Sequence, residues 1–180
     1  MYDDDLAARL ARSCHEPEAF ADVVRALSPP LHAYLARRAG ADADDLLAET
    51  WLRAYAARRT YDAARGSVRV WSFGIARHVL IAHWRRVVDL PHGSAAREET
   101  SDPWPDVDDR LAAAVVEPAL RTAIADLPVV ERELLLLVAW DGLIPTEAAA
   151  VVGVPAPTAR TRLFRARQRL RERLDATAHV

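Results

Sequence analysis

Apolar positions recur along this chain at intervals of three and four, and nowhere do they sustain the strict alternation of a strand. Phe20, Val23, Val24, Leu27, Leu31, Tyr34 and Leu35 set a helical pattern from Pro17 to Arg38. Ser28-Pro29-Pro30 interrupts it, so a kink or a break into two helices is expected, because proline lacks the N–H and crowds the preceding turn. Gly40 is placed to close the segment. The residues before Glu16 read as a loose acidic lead-in or a short first helix. A helix is expected from Asp42 to Arg59, capped by Asp42 or Asp44, with Leu47, Trp51, Ala54 and Tyr55 as its apolar stripe. Thr60 to Ser67 form a loop with a basic tip at Arg65-Gly66. Val68 to Arg86 then read as a helix with Trp71, Ile75, Val79 and Ala82 in the core and Arg77, Ile81, Trp84 and Arg85 on another face.

The C-terminal third repeats the helical period. Glu117-Pro118 opens a helix reaching Asp126, Leu127-Pro128 breaks it, and VVERELLLLVAW supplies a second that ends near Gly142. Leu134 to Val138 are apolar nearly all round, which makes that helix the hub of a small core. From Pro145 the chain reads as a short helix, a turn at Gly153-Val154-Pro155-Ala156 and a strongly basic helix. Small Ala149 precedes Gly153 by four residues and Ala159 follows it by six, the spacing of a helix-turn-helix. Leu163, Ala166 (or Arg167) and Leu170 give the second helix one buried stripe. The rest of it carries Arg160, Arg162, Arg165, Arg167, Arg169, Arg171 and Arg173, able to reach phosphates and base edges in a major groove. A solvated basic helix would show the same charge run, but here turn chemistry precedes it at the right distance.

Between the two halves the composition breaks. Val87 to Val116 contain four Pro or Gly residues (Pro91, Gly93, Pro103, Pro105) and a strong acidic excess, too little apolar surface to order alone. The expected fold is therefore all-α, with two small helical domains, 1–86 and 117–180, joined by a flexible acidic linker, 87–116.

Composition narrows the function. The 180 residues carry a net charge of −2, and every basic residue counted is arginine. The single cysteine, Cys14, excludes an internal disulfide and a Cys-cluster metal site. The histidines are scattered, without HExxH spacing, and no glycine-rich phosphate loop or nucleophile elbow occurs. The chain is expected to be no enzyme and to hold no metal and no cofactor. The acidic start MYDDDLAARL and the lack of a membrane-length apolar run point to a cytoplasmic protein with no membrane partner.

Two surfaces carry candidate chemistry besides the basic helix. Asp45, Glu49, Leu52 and Arg53 share a mixed acidic and apolar arc, either a solvated face with a Glu49–Arg53 helical pair or a docking face for a basic partner helix. After Arg65-Gly66, aromatic rings alternate with arginines, which suits unpaired bases: rings stack on bases while guanidinium groups hold phosphates.

The strings DADDLLAETWLRAY, RGSVRVWSFGIARHVLIAHWRR and LPVVERELLLLVAWDGLIPTEAAAVVGVPAPTARTRLFRARQRLR, in this order, resemble the extracytoplasmic-function (ECF) sigma factors of bacterial RNA polymerase. The resemblance implies a σ2 domain, a linker threading through the polymerase, and a σ4 domain. It implies two partners, core RNA polymerase and promoter DNA, double-stranded at −35 and melted at −10. Polymerase docking carries over to Asp45, Leu46, Glu49 and Arg53. Capture of a flipped base and of the melted −10 strand carries over to Arg65, Ser67, Trp71, Arg77, His78, Arg85 and Arg86. Reading of the −35 element carries over to Thr158, Arg160, Thr161, Arg162 and Arg165.

The chain departs from the family pattern at Ala48, often Gln, at His78, often Asn, and at Pro157 and Ala159, which replace a frequent Gly-Thr-Val start. The rival reading is a free-standing two-domain helix-turn-helix regulator, which has no need of the aromatic, arginine-rich helix after Gly66. The family also implies a separate anti-sigma factor that masks the Asp42–Arg59 helix and the recognition helix.

Overall fold

The computed structural model describes residues 2–89 and 118–178. Its α-helices are α1 (Tyr2–Arg12), α2 (Phe20–Ala39), α3 (Ala43–Ala57) and α4 (Val68–Asp89) in the first half, and α5 (Pro118–Ala125), α6 (Val129–Ala139), α7 (Pro145–Val152) and α8 (Ala156–Ala178) in the second. Short 3-10 turns join several of them, and no strand occurs among the described residues. Most of the acidic linker lies outside those residues.

The first half is built on α2. Val23, Leu27, Leu31, Tyr34 and Leu35 are buried along it and meet Leu6 and Leu10 of α1, Leu46 and Ala54 of α3, and Phe73 and Leu80 of α4. The opening segment is thus a helix rather than a loose lead-in; Arg9 pins it to α2 by reaching Asp22 at 2.5 Å and also bonds Asp5 of its own helix at 2.9 Å. Arg25 and then Arg9 hold the Asp22 carboxyl below its ordinary range.

Pro29 and Pro30 do not break α2, which runs unbroken through both. Two N–H groups are missing, yet buried side chains on both sides of the pair clamp the segment, and Trp51 of α3 donates its indole N–H to Ser28 at 3.0 Å. Gly40, at φ 58°, closes the helix as expected, its N–H meeting the Ala36 carbonyl.

Asp42 stands at the N-cap of α3 without making a side-chain cap bond; it faces His83 of α4, 3.4 Å away. The buried side of α3 is Ala43, Leu46, Thr50 and Ala54, while Leu47 and Trp51 are half-buried and Tyr55 is exposed. On α4 the expected core stripe is likewise displaced. Trp71, Ile75 and Ala82 are half-buried, and Phe73, Ala76, Val79, Leu80 and Trp84 are buried. The reason is tertiary: α4 packs against α1, α2 and α3 on one side and α7 on another, so one helical stripe cannot account for it. It also continues to Asp89, three residues past the helix end expected at Arg86.

In the second half α6 is the hub, with Leu134 to Leu137 buried. Glu131, Arg132 and Glu133 are buried too, which periodicity does not anticipate. Each has a partner: Arg169 for Glu131, the Ala125 carbonyl for Arg132, and Arg77 of α4 for Glu133. Pro145 starts α7 at a first-turn position, and the Glu147 carboxylate accepts the Ile144 N–H at 2.9 Å. Gly153 sits at φ 81°, a left-handed conformation that costs a residue with a Cβ roughly 1 kcal/mol or more. Its N–H and that of Val154 both reach the Ala149 carbonyl, and buried Ala149 and Ala159 let α7 and α8 cross closely.

Candidate nucleic-acid interface

The recognition helix α8 begins just after that turn. Ala159, Leu163 and Ala166 are buried against α6 and α7, and Arg167 points outward, so Ala166 completes the stripe. The exposed arc carries Arg160, Thr161, Phe164, Arg165 and Gln168. Thr158 and Arg162 are half-buried at its margin, and the Thr161 hydroxyl donates back to the Pro157 carbonyl at 3.2 Å. Phe164 is a surface residue that a reading weighted toward arginines misses. It is 68 % exposed, four residues after Arg160 and three after Thr161, and hence on their face. A ring there suits a thymine methyl or a sugar edge.

Further along, the arginines of α8 divide. Arg169 lies 2.7 Å from Glu131 and Arg173 lies 2.9 Å from Asp126, so both tie the helix to its own domain.

The loop before α4 builds a second site. Asp62 accepts the Ala64 N–H at 2.9 Å, the chain turns through Ala63–Arg65, and Gly66 at φ 146° reverses it. Tyr61 braces the turn, its hydroxyl donating to the Gly66 carbonyl at 3.0 Å and its ring meeting Trp71 edge-on. Ser67 accepts the Val70 N–H at 3.2 Å and so caps α4. These pieces surround a cleft of about 360 Å³ walled by Asp62, Arg65, Trp71 and His78 and floored by Gly74, where an added Cβ would meet nothing. A ring wall, a guanidinium and a hydrogen-bonding imidazole around a void of that size suit one extruded base. His78 Nδ1 is 2.7 Å from the Gly74 carbonyl, which sets the Nδ1–H tautomer of the neutral ring and leaves Nε2 as an acceptor.

The other expected residues of this region do not gather at the cleft. Arg77 turns to Glu133 of α6 at 2.8 Å, and Arg85 and Arg86 are exposed further along α4.

The acidic face of α3 forms a third site. Asp45, Leu52 and Arg53 are exposed, and Arg53 meets Glu49 at 2.7 Å, the expected helical pair. Asp42, Asp45, Glu49, His83 and Arg86 line a shallow groove of about 400 Å³. Leu46 is buried and gives that groove an edge, as a core residue beneath the face.

Two family models match these halves: sigma-70 region 2 over residues 23–88, and sigma-70 region 4 over residues 118–170. The chain is 43% identical over 133 residues to the ECF RNA polymerase sigma factor SigC of Mycobacterium tuberculosis, covering 71% of this chain and 68% of that one. It is 34% identical over 163 residues to the ECF sigma factor SigF of Caulobacter vibrioides, covering 87% of this chain and 86% of the relative. Among solved structures, CnrH in complex with the cytosolic domain of CnrY superposes with a TM-score of 0.65 at 25% identity, over 98% of this chain and 99% of that one. RpoE of Bartonella quintana shares the fold, with a TM-score of 0.60 at 21% identity over 87% and 96% of the two chains.

Proposed function

The chain belongs to the extracytoplasmic-function sigma factors of bacterial RNA polymerase, and from that premise we propose which of its residues carry each task of the family. It binds core polymerase and promoter DNA and directs promoter-specific initiation of transcription. Residues 1–86 dock on polymerase through Asp45, Glu49 and Arg53, with Leu46 supporting that face from the core. The cleft of Arg65, Trp71 and His78 takes a base of the melted −10 strand. Ser67 shapes its rim, and Arg77, Arg85 and Arg86 hold the strand's phosphates. Residues 87–116 are the tether, threading through the polymerase. Residues 117–180 read the −35 duplex through Arg160, Thr161, Phe164 and Arg165, with Thr158 and Arg162 at the margin.

The observation that carries this reading is the cleft. An open, ring-walled void beside an arginine serves an unpaired base, and a regulator that reads duplex DNA alone has no use for it. The free-standing regulator is accordingly not favoured. No enzymatic step and no cofactor belong to the proposal.

Initiation takes place in the cytoplasm, where the chain is proposed to act; among the described residues no helix is long and apolar enough to cross a membrane. CnrH binds a second protein, and by the same logic a separate anti-sigma factor is proposed to cover the α3 face and the exposed arc of α8.

Transcription by purified core polymerase tests the assignment. The chain should yield promoter-specific transcripts, and the double charge reversal Asp45→Arg, Glu49→Arg should abolish them while leaving duplex binding by α8 intact. Absent transcripts, together with tight duplex binding by the chain alone, would instead establish the free-standing regulator.

A further inference from the structure

The arginines of the first half are held in two ways. Arg9, Arg53 and Arg77 each meet a carboxylate, which cancels their charge. Arg58 and Arg59 lie on the short turn Arg58–Thr60 that follows α3, and their bonds go to backbone carbonyls instead. Arg58 donates from Nε to Ser13 at 3.3 Å and from Nη1 to Tyr55 at 2.5 Å, and its guanidinium carbon lies 3.7 Å from the centre of the Tyr55 ring. Arg59 donates to Cys14 at 3.4 Å. Arg59 is exposed and Arg58 half-buried, and the next residue, Thr60, lines the base cleft.

We propose that Arg58 and Arg59 form a phosphate-binding site beside the cleft, one that takes the backbone of the single strand whose base the cleft holds. The inference rests on the assignment of the cleft to the melted strand and gives that strand a second point of attachment.

Three physical points support the site. The first is charge. A carbonyl orients a guanidinium without cancelling its charge, so both arginines keep a full positive charge and spare N–H donors for a phosphate oxygen. Ser13 and Cys14 are consecutive, so the two groups that bond them stand side by side, and an anion between them relieves their repulsion. Glu16, an acid that follows closely in the chain, is matched by Arg12 at 3.5 Å.

The second is placement. Any base within a strand has a phosphate on either side, so a base held in the cleft brings two phosphates to its rim. Arg65 of the cleft wall can meet one of them, and Arg59, which directly precedes Thr60 of that wall, the other. Asp62, the acid of the same loop, turns an oxygen back to the Ala64 N–H at 2.9 Å. The third is preorganisation. A mobile arginine loses side-chain freedom when it binds a phosphate. Arg58 is already fixed by two carbonyls and an aromatic face, so less is lost on binding.

Binding of single-stranded −10 oligonucleotides to the full chain assembled with core polymerase tests the site. Arg58→Ala and Arg59→Ala should each flatten the fall of log affinity with log salt by about 0.7, the slope of one single-strand phosphate contact. Replacing the phosphates one at a time by uncharged methylphosphonates locates the contact. At one position beside the cleft base, the replacement should weaken the unsubstituted chain and add nothing to the loss in Arg59→Ala. Arg59→Ala suffices if Arg58→Ala fails a thermal-melt check of folding, since Arg59 is exposed.

An unchanged salt slope in the folded variants would overturn the site. So would a methylphosphonate effect that is the same in variant and unsubstituted chain at every position. Gly74→Leu, which fills the cleft, scores the underlying assignment separately. If it weakens binding while the arginine variants do not, the phosphate site alone fails. If it changes nothing, the cleft assignment fails and the phosphate site with it.

Discussion

Arg169 of α8 places its guanidinium 2.7 Å from the carboxylate of Glu131, a buried acid on the first turn of α6. That bond splits the arginines of one helix into two kinds. Arg160 and Arg165 lie on the exposed arc and face outward, while Arg169 braces α8 on the domain that presents it. Arg169→Ala is therefore expected to lower stability by about 1–2 kcal/mol, since it strands a buried carboxylate. The −35 affinity of the folded fraction should stay nearly unchanged. Denaturant titration beside a duplex-binding isotherm checks both.

Arg160→Ala and Arg165→Ala should do the reverse. Stability should hold within about 0.5 kcal/mol, as for exposed sites generally. An arginine bonded to a base edge should cost about 1–3 kcal/mol of binding and relax preference at one base pair. An arginine on a phosphate should weaken all sequences alike and reduce the salt slope by about one. Binding to a panel of single-substituted −35 duplexes at several salt concentrations separates the two.

Gly74 should respond in opposite ways to small and large side chains. A Cβ there meets nothing, and α4 gains helix propensity, so Gly74→Ala should stabilise the chain by roughly 0.5–1 kcal/mol. Gly74→Leu should instead fill the cleft between Trp71 and His78 and lower promoter opening at least ten-fold, with −35 binding intact. Permanganate footprinting of the melted strand distinguishes filling from unfolding.

The seating of α1 should depend on acid. Because Arg25 and Arg9 lower the Asp22 carboxyl from its ordinary 3.8, its contribution is fully present above that value and is lost as pH falls through the lower folded-state value. Thermal melts across that acid window should show stability falling as the carboxyl protonates, and Asp22→Asn should flatten that dependence while leaving the neutral-pH helix content unchanged.

The features legible in the sequence are those set by neighbours along the chain. Gly153 with Ala149 and Ala159, Gly40, and the Glu49–Arg53 pair all rest on spacings of a few residues, and the structure has each as expected. Burial from more than one side is what periodicity misses. Leu46 and Trp84 sit on arcs that look outward until α2 and α3 close over them. Pro29 and Pro30 read as a break because the clamp that carries α2 through them comes from Trp51 and the core, more than twenty residues away. Glu133 and Asp141 give no local signal, since their partners lie on α2 and α4, in the other half. The base cleft is legible as a composition, rings beside arginines, while its floor at Gly74 requires the fold.

Ala150 belongs to a helix-turn-helix, yet it stands in the wall of the cleft that Arg65, Trp71 and His78 line. The two promoter readers are consequently not interchangeable cassettes. A chimera that grafts another sigma factor's region 4 onto this region 2 would replace α7 and with it part of the neighbouring pocket, along with the acids matched to Arg37, Arg38 and Arg77. Such a chimera is expected to need compensating changes along α4 to regain the stability of the parent chain.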